Sequence, residues 1–322
     1  MKNIILIFII YLNFFISESA IALSNTWLNY DELEFTVEGE VNIVSYTSKR
    51  EIDKVITREN NVIIDKIEIV LNSKYLNDYH FKSSFETSNI GESDEEDIFV
   101  SELYLDIQNT EYSMQVGRIQ VPFGNYNNYF ISDHQTKELG ETKTELGFTF
   151  ENMIGLFSNS FTIFVDNYRT TEEDQNGFSI NSKYSPYKGV TIGGGYISVR
   201  KAIKNQPELL NVYASIDSEK WSASAEIVSA IDETYENRPS AFSLEAEYRN
   251  NNFSYGTRLQ RANKFSVLDE GVGNYKEMAI AANYLFSDYV SFRTEFILAE
   301  EENNSNKKIK ERTILSQMQV VF

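Results

Sequence analysis

The sequence predicts an all-β protein: a transmembrane antiparallel β-barrel of about sixteen strands, with short periplasmic turns and long extracellular loops. Three observations carry this expectation. Beyond residue 22 the chain has almost no helical period but many short segments of alternating apolar and polar residues, the pattern of half-buried strands. The connections between segments alternate between short and long, as they do in outer-membrane barrels. The chain closes on an amphipathic strand, Thr313 to Phe322, whose last residue is aromatic.

The N-terminal stretch is set apart. Lys2 supplies a positive start, Ile4 to Ile16 an apolar run interrupted mainly by Asn13, and Ala20-Ile21-Ala22 a small-x-small cleavage site. Residues 1–22 therefore read as a cleaved secretory signal and residues 23–322 as the barrel. No later run approaches the ~20 apolar residues a membrane helix needs.

The clearest strands follow in order. In 33–46, Phe35, Val37, Val41 and Ile43 share one face against Glu34, Thr36, Glu38 and Glu40. In 79–86, Tyr79, Phe81 and Phe85 oppose His80, Lys82 and Glu86; in 99–108, Leu103, Leu105 and Ile107 oppose Glu102, Asp106 and Gln108. The same alternation marks 210–217, 242–248 and 290–298, and in the last strand Ile314, Met318 and Phe322 oppose Thr313, Gln317 and Gln319. Weaker strands are expected near 62–71, 112–118, 144–151, 160–167, 177–185, 190–198, 221–229, 253–260 and 275–286. Short turns fall at 109–111, 217–220, 250–252 and 287–289, and long polar connections at 47–61, 87–98, 119–143, 168–176, 199–209, 230–241, 261–274 and 299–312. With the N-terminus in the periplasm, every long connection lands on the outer side.

Composition agrees. The chain has 20 Tyr and 22 Phe but only 4 Pro and no Cys, which removes disulfides and thiolate chemistry. Its mean hydropathy of -0.36 looks soluble, but a barrel wall buries only alternate residues in lipid. A net charge of -19 argues against nucleic acid, which is held largely by Lys and Arg. Acidic loop segments such as 91–98 read as solvated tips that could share divalent cations with lipopolysaccharide.

The longest connection, 119–143, is the third outer loop. Pro122 cannot donate to a strand ladder and ends the strand; Gly124 lets the chain turn sharply; Phe123 lies between them. Arg118, just before, is expected at the lumen or its rim, with Glu102 and Asp106 as the nearest carboxylates.

The run Val121-Pro122-Phe123-Gly124-Asn125, then Ile131-Ser132-Asp133, then Glu138-Leu139-Gly140-Glu141-Thr142 resembles the LbtU family of siderophore porins. The likeness is sharp over this loop and only architectural elsewhere. It implies an outer-membrane barrel that passes small solutes, ferric siderophores among them, and it carries over no substrate-contacting residues. General porins fold the third loop into the lumen, which would make Asp133, Glu138 and Glu141 part of a constriction.

A sixteen-strand barrel leaves an aqueous channel, whose selectivity follows from its lining charges. The candidate lining residues are Glu102, Asp106, Arg118, Asp133, Glu138, Glu141, Arg258, Arg293 and Glu295, joined by Glu38, Glu40, Glu68, Glu226, Glu245, Glu247 and Lys82. Acids predominate, so a simple pore would prefer cations. Transport would be passive, since a plugged 22-strand receptor does not fit the length. Two other classes compete. An outer-membrane hydrolase would need a base, yet only His80 and His134 offer imidazole, and no catalytic motif, metal-ligand spacing or cofactor loop is present. A structural or adhesive barrel would share the wall but not conduct. Expected partners are membrane lipid, lipopolysaccharide and a small solute; many porins are trimers, and the sequence displays no subunit interface.

Overall fold

The computed structural model describes residues 33–322 apart from 53, 77, 91–97, 127–128, 142–145, 167–174, 201–207, 232–237, 265–272 and 304–306. The expected signal segment lies outside the described residues, as does most of the acidic tip at 91–98.

Sixteen antiparallel strands close into a single barrel. In chain order they are β1 (Leu33–Ile52), β2 (Val55–Tyr75), β3 (Tyr79–Ile90), β4 (Ile98–Gln108), β5 (Tyr112–Arg118), β6 (Leu146–Ile154), β7 (Phe157–Asp166) and β8 (Gln175–Tyr187). They continue with β9 (Val190–Arg200), β10 (Leu209–Asp217), β11 (Trp221–Ala230), β12 (Ser240–Asn250), β13 (Phe253–Asn263), β14 (Gly273–Ser287), β15 (Val290–Asn303) and β16 (Lys308–Val321). A short helix, α1 (Gln135–Gly140), interrupts the connection from β5 to β6.

Each strand pairs with its sequence neighbours, and β1 closes the wall on β16, from Glu40 opposite Val321 to Ile52 opposite Ile309. The last residue completes the seam: Gly39 N donates to Phe322 O at 2.8 Å, and Phe322 N donates to Gly39 O at 2.9 Å. Closure satisfies every edge that an open sheet would leave unpaired.

The period-two pattern sorts the wall into two faces. On β13, Phe253, Tyr255 and Leu259 are exposed on the outside, while Ser254, Arg258 and Gln260 are buried inside. On β16, Ile314 and Met318 point out and Thr313 points in. An apolar exterior around a polar interior is what lipid demands of a spanning sheet; in water so much exposed apolar surface would drive association. Aromatic pairs crowd one rim, with ring centroids 4.5 Å apart for Trp221 and Tyr248, 4.6 Å for Phe253 and Tyr284, and 4.7 Å for Phe157 and Tyr184. These rings form a girdle at the level where an amphipathic ring sits best.

That rim is the turn end. The turns at 109–111, 155–156, 188–189, 218–220, 251–252 and 288–289 all lie there, and the long connections lie at the other end. Two of the expected long connections are different in kind. Most of 47–61 is strand, because β1 runs to Ile52 and β2 starts at Val55 around Lys54 at φ 70°. Likewise, within 299–312, residues 299–303 belong to β15 and 308–312 to β16. Outside a membrane both faces of a strand are wetted, so the apolar half of the alternation disappears while the backbone ladder continues. The wall therefore stands tallest at β1 and β2, with 20 and 21 residues, and lowest at β5, with 7.

Candidate constriction

The β5–β6 connection turns into the barrel. Gly124, at φ 90°, makes the bend that a side chain would resist. Behind it, Val121 and Phe123 pack on Phe164, Ile197, Leu209 and Val228 of the inner wall. Further along, Phe130 packs on Ala241, Ala262, Tyr275 and Ala279. The small inward residues on β12–β14 leave room for this loop. Gly256 of β13 leaves more, since a Cβ there would stand 2.3 Å from the Tyr129 ring.

Hydrogen bonds fix the loop at two places. Near its start, Glu226 on β11 accepts from Asn125 N at 3.0 Å and from Thr136 Oγ1 at 3.2 Å. Near its tip, Glu295 on β15 accepts from Ile131 N at 3.0 Å, Ser132 N at 3.1 Å and Ser132 Oγ at 2.6 Å. Arg258 lies beside Glu295, fully buried. Its guanidinium donates to Ser132 O at 2.7 Å, to Ser132 Oγ at 2.6 Å and to Glu277 at 2.8 and 3.0 Å, and it covers the Phe130 ring at 4.5 Å. Glu295 and Glu245 lie 3.3 and 3.9 Å from it. A buried arginine needs this many acceptors to offset its lost hydration. Between the two anchors, Tyr129 Oη donates to Ser254 Oγ at 3.0 Å and Gln135 N to Gln260 Oε1 at 2.8 Å.

Helix α1 sits inside the barrel against β11, β12 and β13. Its N-cap is His134, whose Nδ1 accepts from Lys137 N at 3.1 Å. Burial, followed by the nearby charge of Arg258, pushes the His134 pKa down to about 4, so the ring is neutral and free to accept. The helix turns its charged side away from the wall it leans on. There Lys137 lies 2.8 Å from Asp133 and 3.9 Å from Glu141, and Gln120 donates to Glu141 at 2.9 Å. Burial works against the Lys137 charge, but Asp133 outweighs it and raises that pKa. Burial and then Asp133 raise the Glu138 pKa.

Across the lumen the closed strand order places β1–β4 opposite β9–β12. This part of the wall keeps its charges half-exposed. Lys66 lies 2.5 Å from Glu68, and Lys82 lies 2.5 Å from Glu102. Glu40, Glu68 and Glu86 stand side by side on β1, β2 and β3. The Lys82 and Glu102 side chains are 32% and 25% exposed, where that of Arg258 is 0%. Asp65 on β2 lies within electrostatic reach of Asp133 on the loop. Nearer the turn end the same strands line a cavity of about 310 Å³ with Glu34, Lys74, His80 and Asp106.

The candidate lining residues thus divide into three groups. Asp133, Glu138 and Glu141 lie on the loop, and Glu102 on the facing wall. Arg258 and Glu295 face inward but lie beneath the loop, and Arg293 joins them, donating to Phe130 O at 3.4 Å. Arg118 ends β5 with its backbone opposite Leu103, and Glu102 pairs with Lys82. Asp106 accepts from Gln115 at 3.4 Å, toward the turn end. The sequence reading passed over Lys66, Gln260, Glu277 and Gly256. Lys66 and Glu277 fall at alternating inward positions and were within reach; Gly256 gave no signal of what would lie over it.

A closed sixteen-strand barrel with its third loop folded inside has the fold of the Gram-negative outer-membrane porins. No family profile and no curated protein matches the chain. Among solved structures it is similar to the outer membrane channel DcaP of Acinetobacter baumannii, with TM-score 0.66 and 9% identity over 92% of this chain and 99% of that one. It is similar to the anion-selective porin from Comamonas acidovorans, with TM-score 0.65 and 9% identity over 90% of this chain and 100% of that one. It is also similar to OmpT of Vibrio cholerae in a trimer form, with TM-score 0.61 and 10% identity over 91% of this chain and 100% of that one.

Proposed function

We propose that this protein is a passive channel of the Gram-negative outer membrane, with its long connections outside the cell. Small hydrophilic solutes would pass between the inward loop and the β1–β4 wall. The observation that carries the reading is the one-sided anchoring of the loop. Glu226, Arg258 and Glu295 bind it to the β11–β15 side, while Lys66, Glu68, Lys82 and Glu102 opposite stay accessible. A water-filled gap lined on both sides by fixed charge selects by charge and size. Acids outnumber bases there: Glu40, Asp65, Glu68, Glu102, Asp133, Glu138 and Glu141 against Lys66, Lys82 and Lys137. The gap therefore favours cations, unlike the similar Comamonas barrel, which is described as anion-selective.

The resemblance of 118–142 to siderophore porins extends the proposal to ferric chelates. The acid-rich gap favours neutral or cationic chelates over polycarboxylates. Export by a cleaved signal at 1–22 and assembly as a homotrimer complete the reading; the similar Vibrio barrel is described in a trimer form. His134, one of the two imidazoles, is committed to capping α1 within the loop, which weighs against its use as a catalytic base.

Reversal potentials of single channels in a salt gradient test the selectivity, and liposome swelling with neutral, cationic and anionic solutes, ferric siderophores included, tests the passage. Cation preference with swelling is expected. Anion preference would overturn the assigned field, and a folded barrel that conducts nothing would return the reading to a structural or adhesive one.

A further inference from the structure

Beyond the gap, at the turn end of the barrel, the β1–β4 wall holds charges that play no part in the gap itself. Glu34, Lys74, His80 and Asp106 are direct neighbours on one inward row, each on the next strand. They border the cavity of about 310 Å³, together with Lys82 and Tyr104. That size falls at the small end of pockets for organic ligands, about 300–1,000 Å³. The row begins and ends on an acid, with an ammonium and an imidazole between them.

The first two charges of the row are open. Opposite charges facing each other across two strands ordinarily attract and pair. On the same wall Lys66 and Lys82 each lie 2.5 Å from a carboxylate. Lys74 makes no ion pair or hydrogen bond among the described residues, and neither does Glu34 directly across from it. Glu34 is exposed and Lys74 half-buried, so both are accessible to a solute. Asp106 differs, being only 4% exposed. Its Oδ2 accepts from Gln108 and Gln115, while its Oδ1 has no hydrogen-bond partner among the described residues. A carboxylate this deep is costly to leave short of donors.

We propose that this cavity is a solute subsite for a zwitterionic amino acid with a cationic side chain. The carboxylate of the solute lies on Lys74 and its α-ammonium on Glu34. Neighbouring strands stand about 4.7–4.9 Å apart, so these two side chains meet charges that an α-amino acid carries on a single carbon. Asp106 lies two strands beyond Lys74, roughly 10 Å away by the same spacing. An extended arginine or lysine side chain reaches it with its stem along Tyr104, and a guanidinium there offers the fork of donors that suits a carboxylate. The assignment deepens the channel reading and rests on it for the supply of solute. Cations gathered by the acid-rich gap meet a second, weak site before they leave, and weak binding at several sites lets a channel select without stalling.

The test uses the full-length protein folded in detergent micelles, with solute binding read by saturation-transfer difference NMR. The probes are L-arginine, agmatine, which lacks the carboxylate, and N-acetylarginine, which lacks the ammonium. The variants are Lys74→Gln, Glu34→Gln and Asp106→Asn, each checked for folding by heat-modifiable gel migration. A half-exposed ion pair contributes up to about fivefold in affinity. Lys74→Gln should weaken arginine about fivefold and leave agmatine unchanged. Glu34→Gln should weaken arginine as much and leave N-acetylarginine unchanged, and Asp106→Asn should weaken all three. A general loss of charge or structure would not give this matching, because coupling appears only between partners. Equal arginine affinity in wild type and Lys74→Gln would overturn the proposal, as would equal weakening of arginine and agmatine by that variant. Saturable arginine binding by a barrel that conducts nothing would sink the channel reading and leave the subsite standing; conductance without saturable arginine binding would do the reverse.

Discussion

Replacing Glu295 with alanine should release the tip of the inward loop while leaving the barrel closed. The carboxylate accepts from Ile131 N, Ser132 N and Ser132 Oγ at 3.0, 3.1 and 2.6 Å, and lies 3.3 Å from Arg258. Hydrogen bonds to a charged group contribute about 1.5–3 kcal/mol each, and a buried donor left without a partner costs about 1–3 kcal/mol. The tip remains held by the Arg258 bonds to Ser132 and by the Phe130 contacts. Allowing for these, the loss of anchoring is about 4 kcal/mol, roughly a thousandfold in the ratio of docked to undocked loop. The wall itself depends on backbone pairing of β15 with β14 and β16, which the substitution does not touch. Planar-bilayer recordings of Glu295→Ala should show higher conductance and added open-channel noise, with unchanged heat-modifiable migration. Glu295→Gln keeps one acceptor oxygen and should fall between the two. Wild-type conductance and noise in a correctly folded Glu295→Ala protein would refute the assignment of this carboxylate as the anchor.

Three further outcomes follow from other parts of the site. Gly256→Val places a side chain against Tyr129, where even a Cβ would meet the ring at 2.3 Å; overpacking of about 1–3 kcal/mol should displace the loop and reproduce the Glu295→Ala noise. His134 is held neutral, with a folded pKa of about 4 against an ordinary value near 6.5, so the loop is fully stabilised above about pH 6.5 and loses about 3 kcal/mol as pH falls toward 4. Channel noise should rise over that window, and a non-titrating cap, His134→Asn, should flatten the His134 part of the rise. Charge reversal at the facing wall, Glu68→Lys with Glu102→Lys, should move the reversal potential toward anions, and an unmoved potential would place the selective gap elsewhere.

Much of the wall was legible because lipid enforces a two-residue period on it. Phe253, Tyr255 and Leu259 alternate with Ser254, Arg258 and Gln260 in the sequence as they do in space. Legibility failed where the enforcing solvent changes. At 47–61 and 299–312 water wets both faces, so strands read as loops. Inside the barrel the loss was of another kind. Arg258 and Glu295 were recognisable as inward-facing, but their burial depends on Ser132 and Phe130, more than 120 residues away along the chain. Ala241, Ala262 and Ala279 are ordinary small residues until Phe130 lies over them. Arg118 ends β5 with its backbone opposite Leu103 of β4, a register that its neighbours in sequence do not reveal.

The chain has no cysteine, so Asp133→Cys introduces a single thiol on the gap side of the loop. Its modification by a bulky thiol reagent, followed in real time by single-channel recording, tests most directly whether solutes pass between the loop and the β1–β4 wall. Conductance should fall by more than half on modification, while the same reagent on Ser45→Cys, exposed on the outer face of β1, should leave it unchanged. Full conductance after complete modification at position 133 would contradict passage through this gap.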